Sequence, residues 1–496
     1  MIIAHDLGTT ANKASLHHPD GRLIDAVTVA YPAHFADGGV AEQDPNDWWN
    51  AVVAATVSLV DKVDVSGREI SGIVVSGQMM GAVLLDADGE PVRPAIIWAD
   101  TRSAAQQQQL SERIGDEVAY RILGHRLNPT YSVEKVMWVR DHEPEVWARV
   151  KHVCVAKDFI ALRLSGRLAT DRSDASGTNA YDQDSGTWSD AILDAAQLSR
   201  ELFPEILEST DIVGGVTAAA AQVMGIPAGT PVVMGGGDGP LAAVGAGVVS
   251  PEDGAYVSLG TSSWISFVTD QPLLDPVMRT FTFNNVVPNS FVPTATMQAG
   301  GASLQWFTEV LQLGRATVDA GDLIAAADHS VDTGQLYFLP YLLGERAPLW
   351  EPSARGAFVG LARHHSHAHM MRAVMEGVAY NLYTCLLAFR DSGATIEQMT
   401  AVGGGAQSDV FLQLLADVWG IPVSRRTVVD EANSLGAAVT GAVGLGVADF
   451  SAAKHLSEVT AEFSPDPARH ANYRSRYSLF VDAIDSLLPW FQKAHQ

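Results

Sequence analysis

Apolar runs and turn residues divide the chain into short strands and helices. Three apolar stretches open it, at 2–7, 13–17 and 23–31. Turn residues at 19–21 separate the last two, so this segment is predicted to form a three-stranded meander. Asp44 and Pro45 then begin a helical pattern, with the acid at a capping position and the proline in the first turn. A strand over 70–76 and a helix over 101–114 follow, so strands alternate with helices and the fold class is α/β.

The second half of the chain repeats the start of the first. Residues 6–10 are Asp-Leu-Gly-Thr-Thr and residues 258–262 are Ser-Leu-Gly-Thr-Ser, and each segment lies between two apolar runs. Because this echo stands at the start of two comparable halves, we expect duplication. The predicted domains are two closely packed lobes of similar design, over 1–246 and 247–496. Helices of the second lobe are predicted at 411–419, 436–447 and 471–491.

The two Gly-Thr turns could bind phosphate. Glycine lets the backbone approach a ligand closely, and successive N–H groups and hydroxyls can converge on an anion. The donors are those of Gly8, Thr9, Thr10, Gly260, Thr261 and Ser262. Either turn alone more often just closes a hairpin, but two facing turns would hold a polyphosphate from both sides. A carboxylate at Asp6 would repel that phosphate unless a cation lay between them, which predicts Mg²⁺.

Two further glycine-rich segments follow apolar runs. Gly235, Gly236 and Gly237 precede Asp238, at a strand end where open α/β sheets bind ligands. We interpret Asp238 as a general base; a solvated acid in a glycine turn is the alternative. The segment 403–406 lies between a strand pattern and a helix, where it could contact an adenine ring or a phosphate. A simple helix-capping turn is the alternative there.

Charge and cysteine content exclude several classes of protein. The chain has 32 basic and 57 acidic residues and a formal net charge of −25, which disfavours binding to nucleic acid or anionic membrane. Cys154 and Cys385 cannot form a disulfide framework and are expected to be buried thiols. No signal peptide, membrane span or Gly-Lys of a P-loop is found. We therefore expect a cytoplasmic protein.

Together these segments resemble the FGGY carbohydrate kinases, which belong to the actin-like, ribonuclease-H-like ATPases. The resemblance covers nearly the whole chain. The turns at 6–10 and 258–262 are similar to the two phosphate motifs of the family, 403–406 to its adenosine motif and 235–238 to its catalytic aspartate motif. The segments similar to the family's two signatures are 132–138, which includes Lys135, and 356–376. The segments that most resemble the xylulose kinase branch are 42–45, 98–102 and 344–348.

The resemblance implies two actin-like lobes with an ATP cleft between them, and transfer of phosphate from ATP to a sugar hydroxyl. It implies ATP-binding residues Gly8, Thr9, Thr10, Gly260, Thr261, Ser262, Gly301, Gly404, Gly405, Ala406 and Asp409. It implies sugar-binding residues Gln78, Met79, Met80, Asp100, Arg102, Asp238 and Gly239. Asp238 would be the catalytic base, and Asp6 and Asp238 would hold Mg²⁺. A homodimer is left open.

The expected substrate is D-xylulose, giving the 5-phosphate. Two residues depart from the pattern of that branch, because Met80 stands where histidine is usual and Gly239 where asparagine is usual. Methionine cannot donate a hydrogen bond to a sugar hydroxyl, so gluconate or another pentulose or polyol is the alternative substrate. An actin-like ATPase that switches a partner-binding surface without any sugar is the alternative from another class.

Overall fold

The computed structural model describes residues 1–63, 69–311, 320–427 and 432–495. Its strands are β1 Ile2–Leu7, β2 Ala11–His17, β3 Leu23–Ala30, β4 His34–Ala36, β5 Val40–Gln43, β6 Gly72–Gly77, β7 Val83–Leu85, β8 Ala95–Ile96, β9 His152–Cys154, β10 Ala169–Asp171, β11 Tyr181–Asp182, β12 Thr187–Trp188, β13 Glu205–Leu207, β14 Ile212–Gly215, β15 Pro231–Gly237, β16 Ala255–Leu259, β17 Ser263–Phe267, β18 Phe281–Asn284, β19 Phe291–Met297, β20 Tyr337–Leu339, β21 Ala357–Val359, β22 Met399–Val402, β23 Val423–Arg426 and β24 Val459–Phe463.

Its helices are α1 Pro45–Lys62, α2 Ala104–Ile114, α3 Asp116–Leu123, α4 Ser132–His142, α5 Pro144–Trp147, α6 Ala156–Ser165, α7 Arg172–Ser176, α8 Asp190–Ala196, α9 Ala218–Met224, α10 Asp238–Gly245, α11 Gly301–Leu311, α12 Ala320–Ala326, α13 His367–Asp391, α14 Asp409–Trp419, α15 Ala432–Gly444, α16 Ala452–Leu456 and α17 Pro467–His495. The predicted meander and the capped helix α1 are confirmed, and the Asp44 side chain accepts a hydrogen bond from the backbone N–H of Asn46. Both cysteines are buried and unpaired, as expected. Within the described ranges, no helix is both long and apolar enough to cross a membrane.

Two sheets of the same design form the centres of the two lobes. The first has the order β14-β15-β6-β1-β2-β3, and the second has the order β18-β19-β17-β16-β22-β23-β24. In each sheet, three parallel strands lie beside an antiparallel hairpin that begins the half: β1, β6 and β15 in the first, and β16, β22 and β23 in the second. The predicted repeat is therefore present in the strand topology.

The register of the parallel strands brings the predicted motifs to one edge of each sheet. In the first sheet, Leu7 pairs with Gly77 and Gly77 pairs with Gly237, so the segments that follow these three strands begin side by side. In the second, Ser258 pairs with Val402, which places the turn after β16 next to the glycines after β22. Because the carboxyl ends of parallel strands meet at a single edge, segments distant in sequence become neighbours.

Two helices cross between the lobes. Helix α10 packs Leu241 and Val244 with the first sheet, and it also packs Ala242 and Ala243 against apolar side chains of the second. Helix α15 comes from the second half of the chain, yet its apolar residues cover Ile2, Ala4 and Val74 of the first sheet. The sheets thus lie on either side of residue 246, but α15 packs on the opposite lobe. The domain boundary at residue 246 itself stays a prediction.

The crossing of α10 and α15 allows a test by glycine substitution. A Cβ at Gly436 would overlap the backbone carbonyl of Leu241, whereas a Cβ at Gly441 on the same helix would meet only side chains, with Val74 Cγ1 nearest at 3.0 Å. Alanine favours a helix over glycine by about 1 kcal/mol, and overpacking costs about 1–3 kcal/mol or more against fixed backbone. We expect Gly436→Ala to lower the thermal unfolding midpoint and Gly441→Ala to change it little. Equal midpoints in the two variants would contradict the close crossing.

Candidate active site

Asp6 is buried at the end of β1, where residues from three elements surround it. The Ser76 hydroxyl of β6 donates a hydrogen bond to Asp6 Oδ1 at 3.1 Å. Asn433 of α15 also hydrogen bonds this carboxylate, and Lys13 supplies a nearby positive charge. Burial nevertheless raises the pKa of Asp6, because desolvation outweighs these contacts. The site thus holds a carboxylate that a cation would stabilise.

Asp238 is the first residue of α10, and its side chain is half-buried. The backbone N–H of Gly239 donates to Asp238 Oδ1 at 2.8 Å. Burial, together with the negative charge of Asp6, raises the pKa of Asp238 to about 7. A carboxylate with a pKa close to neutral is suited to accept a proton in general base catalysis.

The three glycines before Asp238 are required by close packing. Gly235 has φ of 70°, and a Cβ there would overlap the Val75 carbonyl of the neighbouring strand. A Cβ on Gly237 would come within 2.6 Å of Met79 Sδ. The glycines therefore let β15 approach β6 and the Met79 side chain, and they place Asp238 beside these residues. The sequence alone gave no packing reason for them.

A cavity of about 150 Å³ lies between the lobes, next to Asp238. Its lining residues are Met79, Met80, Trp98, Asp238, Gly239, Ser262, Trp264, Phe281, Phe283, Thr294, Thr296 and Arg346. Four of the seven predicted sugar-binding residues are among them: Met79, Met80, Asp238 and Gly239. Aromatic side chains form much of the remaining wall, and such rings can pack against the C–H faces of a sugar. We call this cavity the small pocket.

The other three predicted sugar-binding residues do not line the small pocket. Gln78 is buried and donates from Nε2 to Gln43 Oε1 at 2.8 Å. Asp100 is fully buried and accepts from the Arg102 guanidinium, with Nη2 and Oδ2 2.7 Å apart, while Arg102 Nη1 lies 2.8 Å from Glu42 Oε1. These charges pair with each other, and their contact with a sugar stays a prediction.

A larger cavity of about 710 Å³ lies in the second lobe. Its lining residues are Leu259, Gly260, Thr261, Ser263, Gly301, Leu304, Gln305, Gly321, Ile324, Val378, Gly404, Gly405, Gln407, Ser408 and Phe411. Five of the predicted ATP-binding residues are among them: Gly260, Thr261, Gly301, Gly404 and Gly405. This cavity, the large pocket, has room for a nucleotide and combines backbone donors with an apolar wall.

The remaining predicted ATP-binding residues lie elsewhere. Ser262 lines the small pocket, Ala406 is buried, and Asp409 is exposed and pairs with Arg425 at 2.8 Å. Gly8, Thr9 and Thr10 form the turn after β1 in the first lobe, where Trp98 Nε1 donates to Thr9 Oγ1 at 3.0 Å. Trp98 thereby connects this turn to the small pocket, since its ring lines that pocket.

Apart from Ser262, sequence reasoning missed the part of the small pocket that the second lobe supplies. Arg346 lies on this wall, its guanidinium 5.7 Å from the centre of the Phe281 ring. Its Nε and Nη2 atoms are buried and have no hydrogen-bond partner among the described residues, and neither does Thr296 Oγ1. The segment 344–348 carried a signal, because it was recognised as a branch motif, but it was given no role at the site. The aromatic wall has no local signature.

Asp6 and Asp238 fit a magnesium site of the kind completed by substrate phosphates. Within the described ranges, no group of three or more His, Cys, Asp or Glu side chains could hold a metal by itself. Mg²⁺ is usually bound by one or two carboxylates together with waters and phosphate oxygens. Asp6 and Asp238 supply two such carboxylates, and the charge of Asp6 adds to burial in raising the pKa of Asp238.

Comparison with known proteins agrees with this geometry. Residues 1–245 match the N-terminal domain of the FGGY family of carbohydrate kinases, and residues 255–445 match its C-terminal domain. The chain is 35% identical to the xylulose kinase of Escherichia coli K12 over 492 residues, which is 99% of each protein.

Two solved structures from Lactobacillus acidophilus, a ligand-bound xylulose kinase and a gluconate kinase, have TM-scores of 0.93 and 0.92 to this chain. Each is 29% identical to it, over 99% of both chains. The two-lobed fold is therefore the one found in solved sugar kinases. Together, these matches show that the chain belongs to the FGGY family of carbohydrate kinases.

Proposed function

We propose that this kinase transfers the γ-phosphoryl group of ATP to the terminal hydroxyl of D-xylulose, giving D-xylulose 5-phosphate. The observation that carries the proposal is the turn after β16, because its two sides line two different cavities. Gly260, Thr261 and Ser263 line the large pocket, while Ser262 lines the small pocket together with Asp238. A nucleotide in the first and a sugar in the second would meet across this turn.

Different residues of the site have different roles in the reaction. Asp238 accepts the proton of the sugar hydroxyl as that oxygen attacks phosphorus, and backbone N–H groups and hydroxyls at 8–10 and 260–262 hold the phosphates. Gly404 and Gly405 lie against the adenosine. Most of the rate enhancement comes from alignment and charge stabilisation, as in phosphoryl transfer generally. Since both lobes form the small pocket, their closure around the sugar excludes water as a competing acceptor.

Asp6 and Asp238 would bind Mg²⁺ together with phosphate oxygens of ATP. A bound Mg²⁺ supplies positive charge that offsets the negative charge of the transferring phosphoryl group. The buried position of Asp6 and its contacts with Ser76 and Asn433 hold its carboxylate in a fixed orientation. A cytoplasmic location and a homodimer stay predictions.

Gluconate is the second candidate substrate. The residues that favour it are Met80 and Gly239, which line the small pocket without a side-chain donor, and Arg346, whose Nε and Nη2 atoms have no partner among the described residues. A guanidinium binds a carboxylate with two parallel hydrogen bonds. The xylulose kinase resemblance at full length still favours D-xylulose. A coupled assay of ADP release, with D-xylulose, D-gluconate and other pentuloses and polyols, distinguishes the two; no sugar-dependent release would contradict both.

The catalytic role of Asp238 is tested by substitution with alanine and asparagine. A positioned base contributes about 10²–10⁴-fold to the rate, so Asp238→Ala should lower kcat at saturating sugar and ATP by at least this amount. Asp238→Asn keeps the shape but not the base, and it should match alanine or fall between alanine and wild type. The free energy of unfolding should change by about 1 kcal/mol or less. A folded alanine variant with near-normal kcat would place the base elsewhere.

The raised pKa of Asp238 predicts the pH dependence of the reaction. The base must be ionised, and its pKa is about 7, so kcat/KM for the sugar should fall as the pH drops below 7. The expected slope is about tenfold per pH unit, as for loss of a single essential proton acceptor. Asp238→Asn should abolish this limb of the profile at fixed Mg²⁺ concentration. A wild-type profile that is flat between pH 5.5 and about 8 would contradict the assignment.

Met80 is predicted to set substrate preference. Its side chain lines the small pocket, and Met80→His would add a hydrogen-bond donor there. We expect the ratio of kcat/KM between D-xylulose and its competitors to change by about tenfold, which corresponds to one good hydrogen bond. The measurement is the substrate panel above, with thermal unfolding as the control for folding. An unchanged ranking would mean that residue 80 does not contact the sugar.

A further inference from the structure

Met80 enters the small pocket with a backbone conformation that is unfavourable for its side chain. Its φ is 65°, in the left-handed region. Residues with a Cβ adopt this region rarely, because the Cβ approaches the following carbonyl group too closely. Met80 lines the same pocket as Asp238 and Gly239. Something in the surrounding structure must therefore hold residue 80 in this conformation.

The first turns of α4 hold the carbonyl groups of residues 80 and 81. Ser132 Oγ donates a hydrogen bond to the Gly81 carbonyl at 2.7 Å. Lys135 Nζ donates to the Met80 carbonyl at 3.1 Å, to that of Tyr131 at 3.3 Å, and to that of Thr130. An ammonium group has three donors, and three carbonyls surround this one. Met80 contributes the acceptor that is most distant in sequence.

Burying a lysine at this position lowers the stability of the fold unless its contacts compensate. Lys135 is fully buried, and burial lowers its pKa to about 7. The acceptors found for Nζ in the described part of the chain are all backbone carbonyls rather than carboxylates. Replacing a buried charge with an apolar side chain of similar volume is often neutral or stabilising. Core packing alone therefore gives no reason for a charged side chain here.

The side chain of the adjacent residue, Met79, packs against β15, the strand that ends just before Asp238. Met79 Cε lies 3.0 Å from the position that a Cβ on Gly177 would occupy, and Met79 Cγ lies 2.6 Å from that of Gly237. Gly237 is the residue before Asp238. A rotation of the peptide between residues 80 and 81 would disturb the small pocket on the side that Asp238 also forms.

We propose that Lys135 is a positioning residue for the sugar, which acts by holding the Met80 carbonyl so that residue 80 keeps its left-handed conformation in the small pocket. This proposal rests on the proposed function of the pocket. Ser132 supports the same segment through Gly81. The role is distinct from catalysis, since Lys135 binds backbone carbonyls and its own side chain lines neither pocket. It predicts a defect in sugar recognition that leaves nucleotide binding intact.

The first test is Lys135→Met, which keeps the volume and removes the donors. We expect KM for the sugar to rise about tenfold, the effect of one lost hydrogen bond to a charged group, while KM for ATP stays within about twofold. Ser132→Ala should raise KM for the sugar in the same direction by less, and it serves if Lys135→Met folds poorly. Val136→Ala is the matched control, because this neighbour on the same helix is equally buried but belongs to an apolar cluster of the first lobe. Unchanged KM for the sugar in both test variants would overturn the proposal.

A double-mutant cycle separates positioning from general packing. Glycine adopts the left-handed region without strain, so Met80→Gly removes the conformational penalty that Lys135 offsets. In the Met80→Gly background, Lys135→Met should change kcat/KM by less than about threefold, against about tenfold in the wild-type background. Equal effects in the two backgrounds would mean that Lys135 does not act through residue 80.

A crystal structure of the unliganded Lys135→Met variant gives an outcome that does not depend on any activity. We expect φ of Met80 to leave the left-handed region, or the segment 79–81 to lose its single conformation. A structure in which residue 80 keeps its conformation contradicts the positioning role, even if the wild type phosphorylates a sugar. Conversely, a wild type that phosphorylates no sugar contradicts the proposed function alone, because the conformation of residue 80 can still be measured.

Discussion

The crossing of α10 and α15 at Gly245 and Gly436 determines the geometry of the site. A Cβ on Gly245 would overlap the Ala432 carbonyl, and a Cβ on Gly436 would overlap that of Leu241, so the two helix backbones are in direct contact. The helices carry chemistry at their first turns, because Asp238 begins α10 and Asn433 of α15 hydrogen bonds Asp6. The packing that joins the lobes therefore also fixes the distance between the two carboxylates.

The large pocket carries local donor groups for an anion, although the protein as a whole is strongly negative. A net charge of −25 repels a nucleotide at long range, yet the large pocket offers backbone groups of glycines and a threonine hydroxyl. Fixed N–H dipoles bind anions without adding a flexible side chain. The negative charge of Asp6 also adds to the effect of burial in raising the pKa of Asp238. The carboxylate proposed as a cation ligand thus also acts on the group proposed as the base.

Local patterns predicted the elements and the motifs, while long-range packing decided what lines each pocket. The hairpins, the glycine segments and Asp238 were found because each has its own short signature, and strand register then brings them together. Arg346 and the aromatic wall were missed because no local pattern shows that Trp264, Phe281 and Phe283 face a pocket between the lobes. Asp100 and Arg102 pair with each other in the structure, and their predicted contact with a sugar stays a prediction. The packing of α15 on the first sheet likewise depends on contacts across most of the chain.

That placement of α15 has a consequence for how the protein is made. The first sheet is complete once residue 237 has been synthesised, but the helix that covers Ile2, Ala4 and Val74 ends at residue 444. Ribosomes add about 5–20 residues per second, so about 10–40 s separate the two events. Throughout that interval the nascent first lobe exposes an apolar face with its own covering helix not yet made. Such transiently exposed apolar surface is prone to aggregation, so the nascent chain is more exposed to this hazard than the folded protein.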